Sequence, residues 1–474
     1  MIPTLLADVA RANGGTLADV PDPGAVVTDA VVVDSRQVEP GGLFVAVRGE
    51  RVDGHDHAAD AVAAGALACL AARPLGVPAV VVEDTVAALG RLAADMAGRL
   101  EGCIVVGVTG SQGKTSTKDL LAQVLELAGP TVAPLGSFNN EIGVPLTVLR
   151  ANADTAFLVV EMGARGRGHV RFLSDMVSPT IGCVLNVGSA HLGEFGSQEA
   201  IAASKGELVE ALPPAGTAVL NADDPAVAAM ASRTRARVLT FGESPQADVR
   251  VEHLRTSPDG CAAFDLVSDG QRTSVTLRLL GEHQAMNAAA AAGVALAAGL
   301  TLADVAAALS AAVPRSRWRM ERTERSDGVL VVNDAYNANP DSMRAALKTL
   351  VGLSRARGGR SFAVLGQMRE LGEESTSAHD AVGRLAVRLD VDQLVVVGEA
   401  AATLHLGACL EGSWGQESVL VPDTDAAVAL LRELLRPGDT VLVKASRDVG
   451  LERVAQALLA DVPAAAPSGQ EDSR

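Results

Sequence analysis

The string Thr109-Gly110-Ser111-Gln112-Gly113-Lys114-Thr115 lies between a continuous, mostly β-branched run, Cys103–Val108, and a helical pattern over Ser116–Ala128. A strand, a glycine-lysine-threonine turn and a helix in that order bring free backbone N–H groups and an ammonium to one point, where phosphates bind. Thr115 offers a hydroxyl to Mg²⁺ there. The longer G-x-x-x-x-G-K-[ST] spacing is not met, because Val108 stands where its first glycine belongs. The bland alternative is a structural glycine turn with an exposed lysine. Glu161 closes the next apolar run, Ala156–Glu161. A carboxylate one strand over from a phosphate loop is placed to hold Mg²⁺, and taken alone it reads equally well as a solvated strand-end acid. His191 follows a third such run, Ile181–Val187, although a lone histidine is more often a satisfied polar residue than a ligand. Lys205 is the odd member, since an ammonium repels a cation. Buried and neutral, its amine can add carbon dioxide and become a carbamate, an oxygen ligand. Spacing alone leaves it an ordinary surface lysine.

These residues need strands that end together. In the second segment, Cys103–Val108, Ala156–Glu161, Ile181–Val187 and Ala218–Asn221 are short apolar runs with helical patterns between them, the signature of a doubly wound parallel sheet whose ligands bind at the carboxyl ends of its strands. A smaller α/β unit precedes it, with strands expected at Ala30–Asp34, Leu43–Val47 and Val80–Glu83 and an alanine-rich helix from Ala58. Another follows, with strands at Val329–Asp334, Phe362–Gly366, Gln393–Gly398 and Thr440–Lys444. The division is 1–99, 100–320 and 321–462, and residues 463–474, rich in Pro, Ala, Ser, Glu and Asp, read as a disordered tail. The alanine-rich stretch Ala285–Val313 carries Asn287 and Asp304 and reads as two buried helices, with breaks at Gly293 and Gly299, rather than a membrane span.

The chain has 474 residues, enough for about three domains. Its 40 Lys and Arg against 57 Asp and Glu give a net charge of −17, and it has no basic run. Nucleic acid and anionic membranes are therefore poor partners, while a small anion held by a few placed cations is not excluded. The five cysteines are scattered, with no C-x-x-C pair, which argues against a disulfide framework or zinc ribbon and for a reducing compartment. The first fifteen residues lack a basic start and apolar core, so no secretory signal is expected, and the location expected is the cytoplasm. Aromatics are 2% of residues, so the core is expected to form without them. Tyr336, Trp318, Phe138 and Phe195 all adjoin polar loops and point to ligand surfaces.

Together the strings resemble the Mur ligase family of ATP-dependent amide-forming enzymes, over nearly the whole chain. The discriminating stretches are Asn139-Asn140-Glu141-Ile142-Gly143-Val144-Pro145, Asp334-Ala335-Tyr336-Asn337-Ala338-Asn339-Pro340-Asp341-Ser342-Met343 and Val364-Leu365-Gly366-Gln367-Met368-Arg369-Glu370-Leu371-Gly372. The resemblance implies three α/β domains: a small N-terminal one, a central P-loop-like parallel-sheet ATPase domain and a C-terminal Rossmann-like one. It implies that Gly110, Ser111, Gln112, Gly113, Lys114, Thr115 and Ser116 cradle the phosphates of ATP. Thr115 and Glu161 would hold one Mg²⁺, and His191 with carbamylated Lys205 a second, making Lys114, His191 and Lys205 the catalytic set. Asn287 matches the adenine-side asparagine, Arg319 (with Arg317 close in register) the arginine that reaches the phosphates, and Asp334 the ribose-binding acid. Ser35, Arg36 and His55 resemble the surface for a uridine diphosphate. Asn139, Asn140, Tyr336 and Asn337 fall in the substrate-side strings.

The branch of the family these strings fit best joins D-alanyl-D-alanine to UDP-N-acetylmuramoyl-tripeptide and is expected to act as a monomer. The third-residue branch usually carries a D-N-P-R string, which is absent here. Two positions depart from the family pattern, which often has Asp at Gln367 and Gly at Ala445. Other amide ligases of the family, a P-loop NTPase driving motion and a non-catalytic nucleotide-binding scaffold are the competing readings.

Overall fold

A computed structural model of the chain describes residues 1–49, 52–188, 192–412 and 417–460. Its strands are short and buried, and they gather into three main sheets. The first has the order Thr16–Ala18, Ala79–Val81, Ala68–Ala71, Leu43–Val45, Val31–Val32, parallel apart from its first pair. The alanine-rich helix from Ala58 ends at Ala63. Gly65, at φ +115°, turns the chain, and the fully buried Ala68–Ala71 becomes an inner strand absent from the sequence expectation. Strands expected at Ala30–Asp34 and Val80–Glu83 shorten to Val31–Val32 and Ala79–Val81.

The central sheet has nine strands: Gln271–Leu280, Cys261–Ser268, Val249–Thr256, Arg237–Gly242, Thr217–Asn221, Ile181–Val184, Ile104–Thr109, Phe157–Glu161 and Thr131–Val132, in spatial order. All neighbours run parallel except the two pairings among the first three strands, which are antiparallel. From Ile104–Thr109 the chain goes out to one side, Phe157–Glu161, and then to the other, Ile181–Val184. That reversal of strand order opens a crevice at the carboxyl ends, and the phosphate-loop string emerges into it.

Helix Gln284–Ala297 is buried along nearly its whole length, as is much of Leu302–Ala311. The stretch is two helices, but only Gly299 (φ +97°) breaks it. Gly293 sits inside the first helix, where a Cβ would press on Val219 and Leu239 of the sheet at 2.8 and 3.1 Å. It is glycine for close packing, not for a turn. No helix among the described residues is long and apolar enough to cross a membrane.

The third sheet runs Glu321–Glu324, Leu330–Asn333, Thr440–Lys444, Ser361–Leu365, Gln393–Val397, Ser418–Val421 and is parallel beyond its first pair. Helices such as Pro340–Arg357 and Ser375–Arg388 cover it. The expectation of a core without aromatics is wrong. Phe44, Phe157, Phe241, Phe264 and Phe362 are all buried, so scarce rings were spent inside. The five cysteines are free.

Candidate active site

The site begins with the register of the central sheet. Glu161 pairs with Val108, and Val184 with Thr109. The ends of three strands therefore lie level, and the loop Gly110–Gly113 leaves from the middle one. Gly113 has φ +81°, and a Cβ there would lie 2.4 Å from Asn287 Oδ1. Conformation and space both demand glycine at this position. Helix Lys114–Leu125 starts immediately afterwards, with the unpaired N–H groups of its first turn facing the crevice. Asn186, just past Ile181–Val184, braces the loop: its Oδ1 accepts from Gln112 N–H (3.0 Å) and its Nδ2 donates to the Gln112 carbonyl (3.2 Å).

Glu161 is fully buried. It accepts from Thr115 Oγ1 (3.0 Å), Ser137 Oγ (2.9 Å) and Asn139 Nδ2 (2.8 Å). These are hard oxygen donors and their supports, the set that suits Mg²⁺. Asn140 lies beside them but turns its Oδ1 to the N–H groups of Ile142 and Gly143, capping the helix Gly143–Val148. Arg319 reaches Thr115 Oγ1 with Nη2 (3.1 Å), lies over the Tyr336 ring at 4.2 Å, and leaves its buried Nε without a partner among the described residues. That orphan N–H marks a place for an acceptor from outside the chain. Arg317 is exposed and does not line the cavity.

Lys114 Nζ donates to the carbonyl of Gly110 at 2.7 Å. Its enclosure holds the ammonium below the usual lysine range, while Glu161 and Glu370 pull it back up against a further depression from Arg319. Lys205 is 2% exposed on helix Gln198–Glu210. Burial, and secondarily the charge of Lys114, push its pKa down to about 7. Among the described residues no carboxylate is in ion-pair range of it. An uncharged buried amine is thus within reach near neutrality, as the carbamate idea requires. His191 lies outside the described residues.

The far wall comes from the third sheet. Asp334, at the end of Leu330–Asn333, pairs with Lys444 Nζ (2.5 Å) and accepts from Met320 N–H (3.0 Å). Lys444 also donates to the carbonyl of Asn337 (2.9 Å), and burial lowers its pKa against the pull of Asp334. The two walls enclose a cavity of about 670 Å³, lined by Ser111–Ser116, Asn139, Asn140, Glu161, Asn287, Arg319, Asp334, Tyr336, Asn337, Glu370, Lys444 and Arg447, among others. Gly110 lies just behind its loop and contributes the carbonyl that Lys114 holds.

Ser35, Arg36 and His55 are not brought to this cavity. Arg36 is a surface residue paired with Asp34 (2.9 and 2.7 Å), whose carboxyl it holds down at about 2. His55 is buried, with Nδ1 on Asp53 (2.6 Å) and Nε2 accepting from Ala72 N–H (2.9 Å). Of the loop aromatics, Tyr336 lines the cavity and Trp318 lies under the Arg447 guanidinium at 4.1 Å. Phe138 is exposed outside the lining, and Phe195 packs on the core. Ser137, Asn186 and Lys444 were not among the site residues expected from sequence. Lys444 had a readable signal, a charge ending a buried apolar run, the same feature that drew attention to Glu161.

Three family profiles match the chain: "Mur ligase family, catalytic domain" over residues 28–96, "Mur ligase middle domain" over 108–295, and "Mur ligase, glutamate ligase domain" over 318–447. The chain belongs to the Mur ligase family. A Mur ligase of Mycobacterium bovis, UDP-N-acetylmuramoyl-tripeptide–D-alanyl-D-alanine ligase, is 50% identical over 97% of this chain and 98% of its own length. Two solved Mur ligases are similar throughout. MurF from Acinetobacter baumannii gives a TM-score of 0.85 at 31% identity, covering 97% of this chain and 99% of its own. MurF from Thermotoga maritima in complex with ADP gives 0.77 at 31% identity, covering 92% and 98%. The three α/β units are thus those of a three-domain Mur ligase, an ATP-using family of amide-forming ligases. The Ala445 departure has a local reason: Gly366 faces it, and a Cβ on Gly366 would lie 2.9 Å from the Ala445 Cβ. The buried methyl occupies room that the facing glycine leaves.

Proposed function

We propose that this chain joins D-alanyl-D-alanine to UDP-N-acetylmuramoyl-tripeptide, using ATP and releasing ADP and phosphate. The observation that carries the reading is one cavity whose near wall is a phosphate loop with a buried carboxylate and whose far wall is the last domain, in a chain similar over its full length to ligases of that name. A carboxylate is a poor electrophile. Moving the γ-phosphoryl group onto it gives an acyl phosphate, which the dipeptide amine attacks at the carbonyl carbon, expelling phosphate.

Lys114 and the N–H groups of Gly113–Ser116, at the start of the helix, hold the transferring phosphoryl group, and Arg319 adds charge from the domain junction. Thr115 and Glu161 would hold one Mg²⁺, and Lys205 as a carbamate with His191 a second; when bound, these ions offset the charge of the phosphates. Asn287 faces the adenine and Asp334 the ribose. Asn139, Asn140, Tyr336 and Asn337 border the path of the acceptor. Residues 1–99 form the UDP-binding domain, 100–320 the ATP-binding domain and 321–462 the ligase domain. In the first, Ser35 and Arg36 face the nucleotide, while His55, with both ring nitrogens engaged, sets the loop. The acidic surface admits no nucleic acid, and the enzyme works as a cytoplasmic monomer.

Phosphate release measured with ATP, UDP-N-acetylmuramoyl-tripeptide and D-alanyl-D-alanine tests the reading. Sustained release is expected only with all three present. Release from ATP alone at the same rate would make the chain an uncoupled NTPase, and release driven equally by another amino donor would move it to another branch of the family.

A further inference from the structure

Helix Gln198–Glu210, which carries Lys205, is held from two sides. Its inner face presents Ile201, Lys205, Leu208 and Val209, all buried. That face is seated on strand Ile104–Thr109, the strand that feeds the phosphate loop, and the fit is close: a Cβ on Gly107 would lie 2.8 Å from Leu208 Cδ1. Ser204 and Glu207 tie the helix sideways, Ser204 Oγ donating to the Gly166 carbonyl (3.0 Å) and Glu207 accepting from Gly168 and Arg171 N–H (2.7 and 3.0 Å). The face away from Lys205 is held by Arg233, from the turn Ala229–Arg233 that leads into strand Arg237–Gly242 of the same sheet.

The Arg233 guanidinium lies against the helix at Gly206, where any Cβ would collide with Nη1. Nη1 donates to the Ala202 carbonyl (3.1 Å) and Nη2 to the Ala203 carbonyl (2.8 Å), while Nε and Nη2 pair with Glu210 Oε1 (2.9 and 2.8 Å). Carbonyls inside a helix already accept from the N–H four residues on, so these added bonds fasten the helix rather than form it. Ala203, Gly206 and Glu210 share one stripe at helical spacing. Glycine is the poorest ordinary residue for a helix interior, and no positive φ calls for it at Gly206. What calls for it is the arginine, which reaches those carbonyls only across a residue with no side chain.

We propose that Arg233, seated on Gly206, is a positioning residue that presses this helix onto the central sheet and so fixes where the Lys205 amine lies relative to the phosphate loop. The inference rests on the ligase reading above, in which Lys205 serves the reaction. A misplacement of about 1 Å at such a group is enough to cost about a hundredfold in turnover.

Arg233→Ala and Gly206→Ala, singly and together, test this. The first removes the clamp, and the second displaces it while otherwise favouring the helix. Each should lower kcat by about 10- to 100-fold, with the KM values for ATP, UDP-N-acetylmuramoyl-tripeptide and D-alanyl-D-alanine within about twofold of the wild type. Both changes remove one contact, so the double variant should lie within about threefold of either single one. Arg233→Lys, which still reaches one carbonyl, should recover part of the loss. Acetylation of the folded enzyme in CO₂-stripped buffer, read by mass spectrometry, is independent of turnover. Lys205 should react at least about tenfold faster in both single variants, while Lys118, as deeply buried in the same domain, keeps its rate. Unchanged kcat or unchanged Lys205 labelling in the single variants overturns the proposal, as do losses that multiply in the double variant. So does faster labelling of Lys205 and Lys118 together, which marks a general loosening of the fold. Failure of the wild-type chain to accept the dipeptide would instead sink the ligase reading, and the labelling ratio would still decide whether Arg233 positions Lys205.

Discussion

Lys114→Ala is expected to lower kcat by about 10²- to 10³-fold or more and to leave the melting temperature at or above that of the wild type. The first half follows from position. Lys114 opens the helix behind the phosphate loop, lines the cavity, and among the described residues has the Gly110 carbonyl as its hydrogen-bond partner. Preorganised charge aimed at a transferring phosphoryl group is worth about 3–4 kcal/mol per donor. The second half follows from burial. Enclosure lowers the Lys114 pKa, so its charged form is held at a cost to folding, and alanine removes that cost. Steady-state phosphate release and a melting curve on the same preparation check both halves. Retained turnover would remove Lys114 from the chemistry, and a collapsed melting temperature would make it a structural residue.

The second large effect is expected at Lys205, whose replacement by methionine should cost about a hundredfold or more in turnover with little change in stability. Its 2% exposure and the neighbouring Lys114 charge bring its pKa to about 7. Carbamate formation needs the neutral amine: the nitrogen bonds to the carbon of CO₂ and a proton leaves. The direction with pH is then fixed. Above about pH 7 the amine is available and carbamate accumulates. Below it the amine is protonated, CO₂ has no nucleophile, and activity should fall. Wild-type activity should therefore drop in CO₂-stripped buffer, more steeply at pH 6 than at pH 8, and return on adding bicarbonate. Indifference to bicarbonate at every pH, with no mass increment of one CO₂ on the Lys205 peptide, would contradict the carbamate.

The same depressed pKa bears on stability with the usual sign for a buried amine. Because the folded-state value lies below the ordinary 10.5, an uncarbamylated Lys205 favours folding most at high pH, where both states are neutral, and the contribution is lost as pH falls toward about 7.

How legible this was in sequence depended on how many faces of an element are buried. Ile104–Thr109, Phe157–Glu161 and Thr440–Lys444 are covered on both sides, so they read as unbroken apolar runs with a polar residue at the tip. The tips are where the site is, and Glu161 could be named from its tip position coupled to the neighbouring phosphate loop. Gln271–Leu280 escaped because only one of its faces is covered. Val275, Leu277 and Leu279 are buried, while Arg272, Ser274, Thr276 and Arg278 are exposed between them. A search for continuous runs passes over that alternation. Arg319 and Arg317 are two residues apart on an irregular segment whose Trp318 and Met320 both have positive φ, so only the fold separates the arginine in the cavity from the one in solvent.

The account rests on the Thr115–Glu161 pair and Lys114 serving one triphosphate at the tips of adjacent strands. Diffraction from crystals grown with Mn²⁺ and a non-hydrolysable ATP analogue tests that directly. The predicted result is an anomalous Mn²⁺ peak coordinated by both Thr115 Oγ1 and a Glu161 carboxylate oxygen, with the terminal phosphate against Lys114 Nζ. Phosphates bound away from the Gly110–Thr115 loop, or a metal peak that does not touch Glu161, would contradict it.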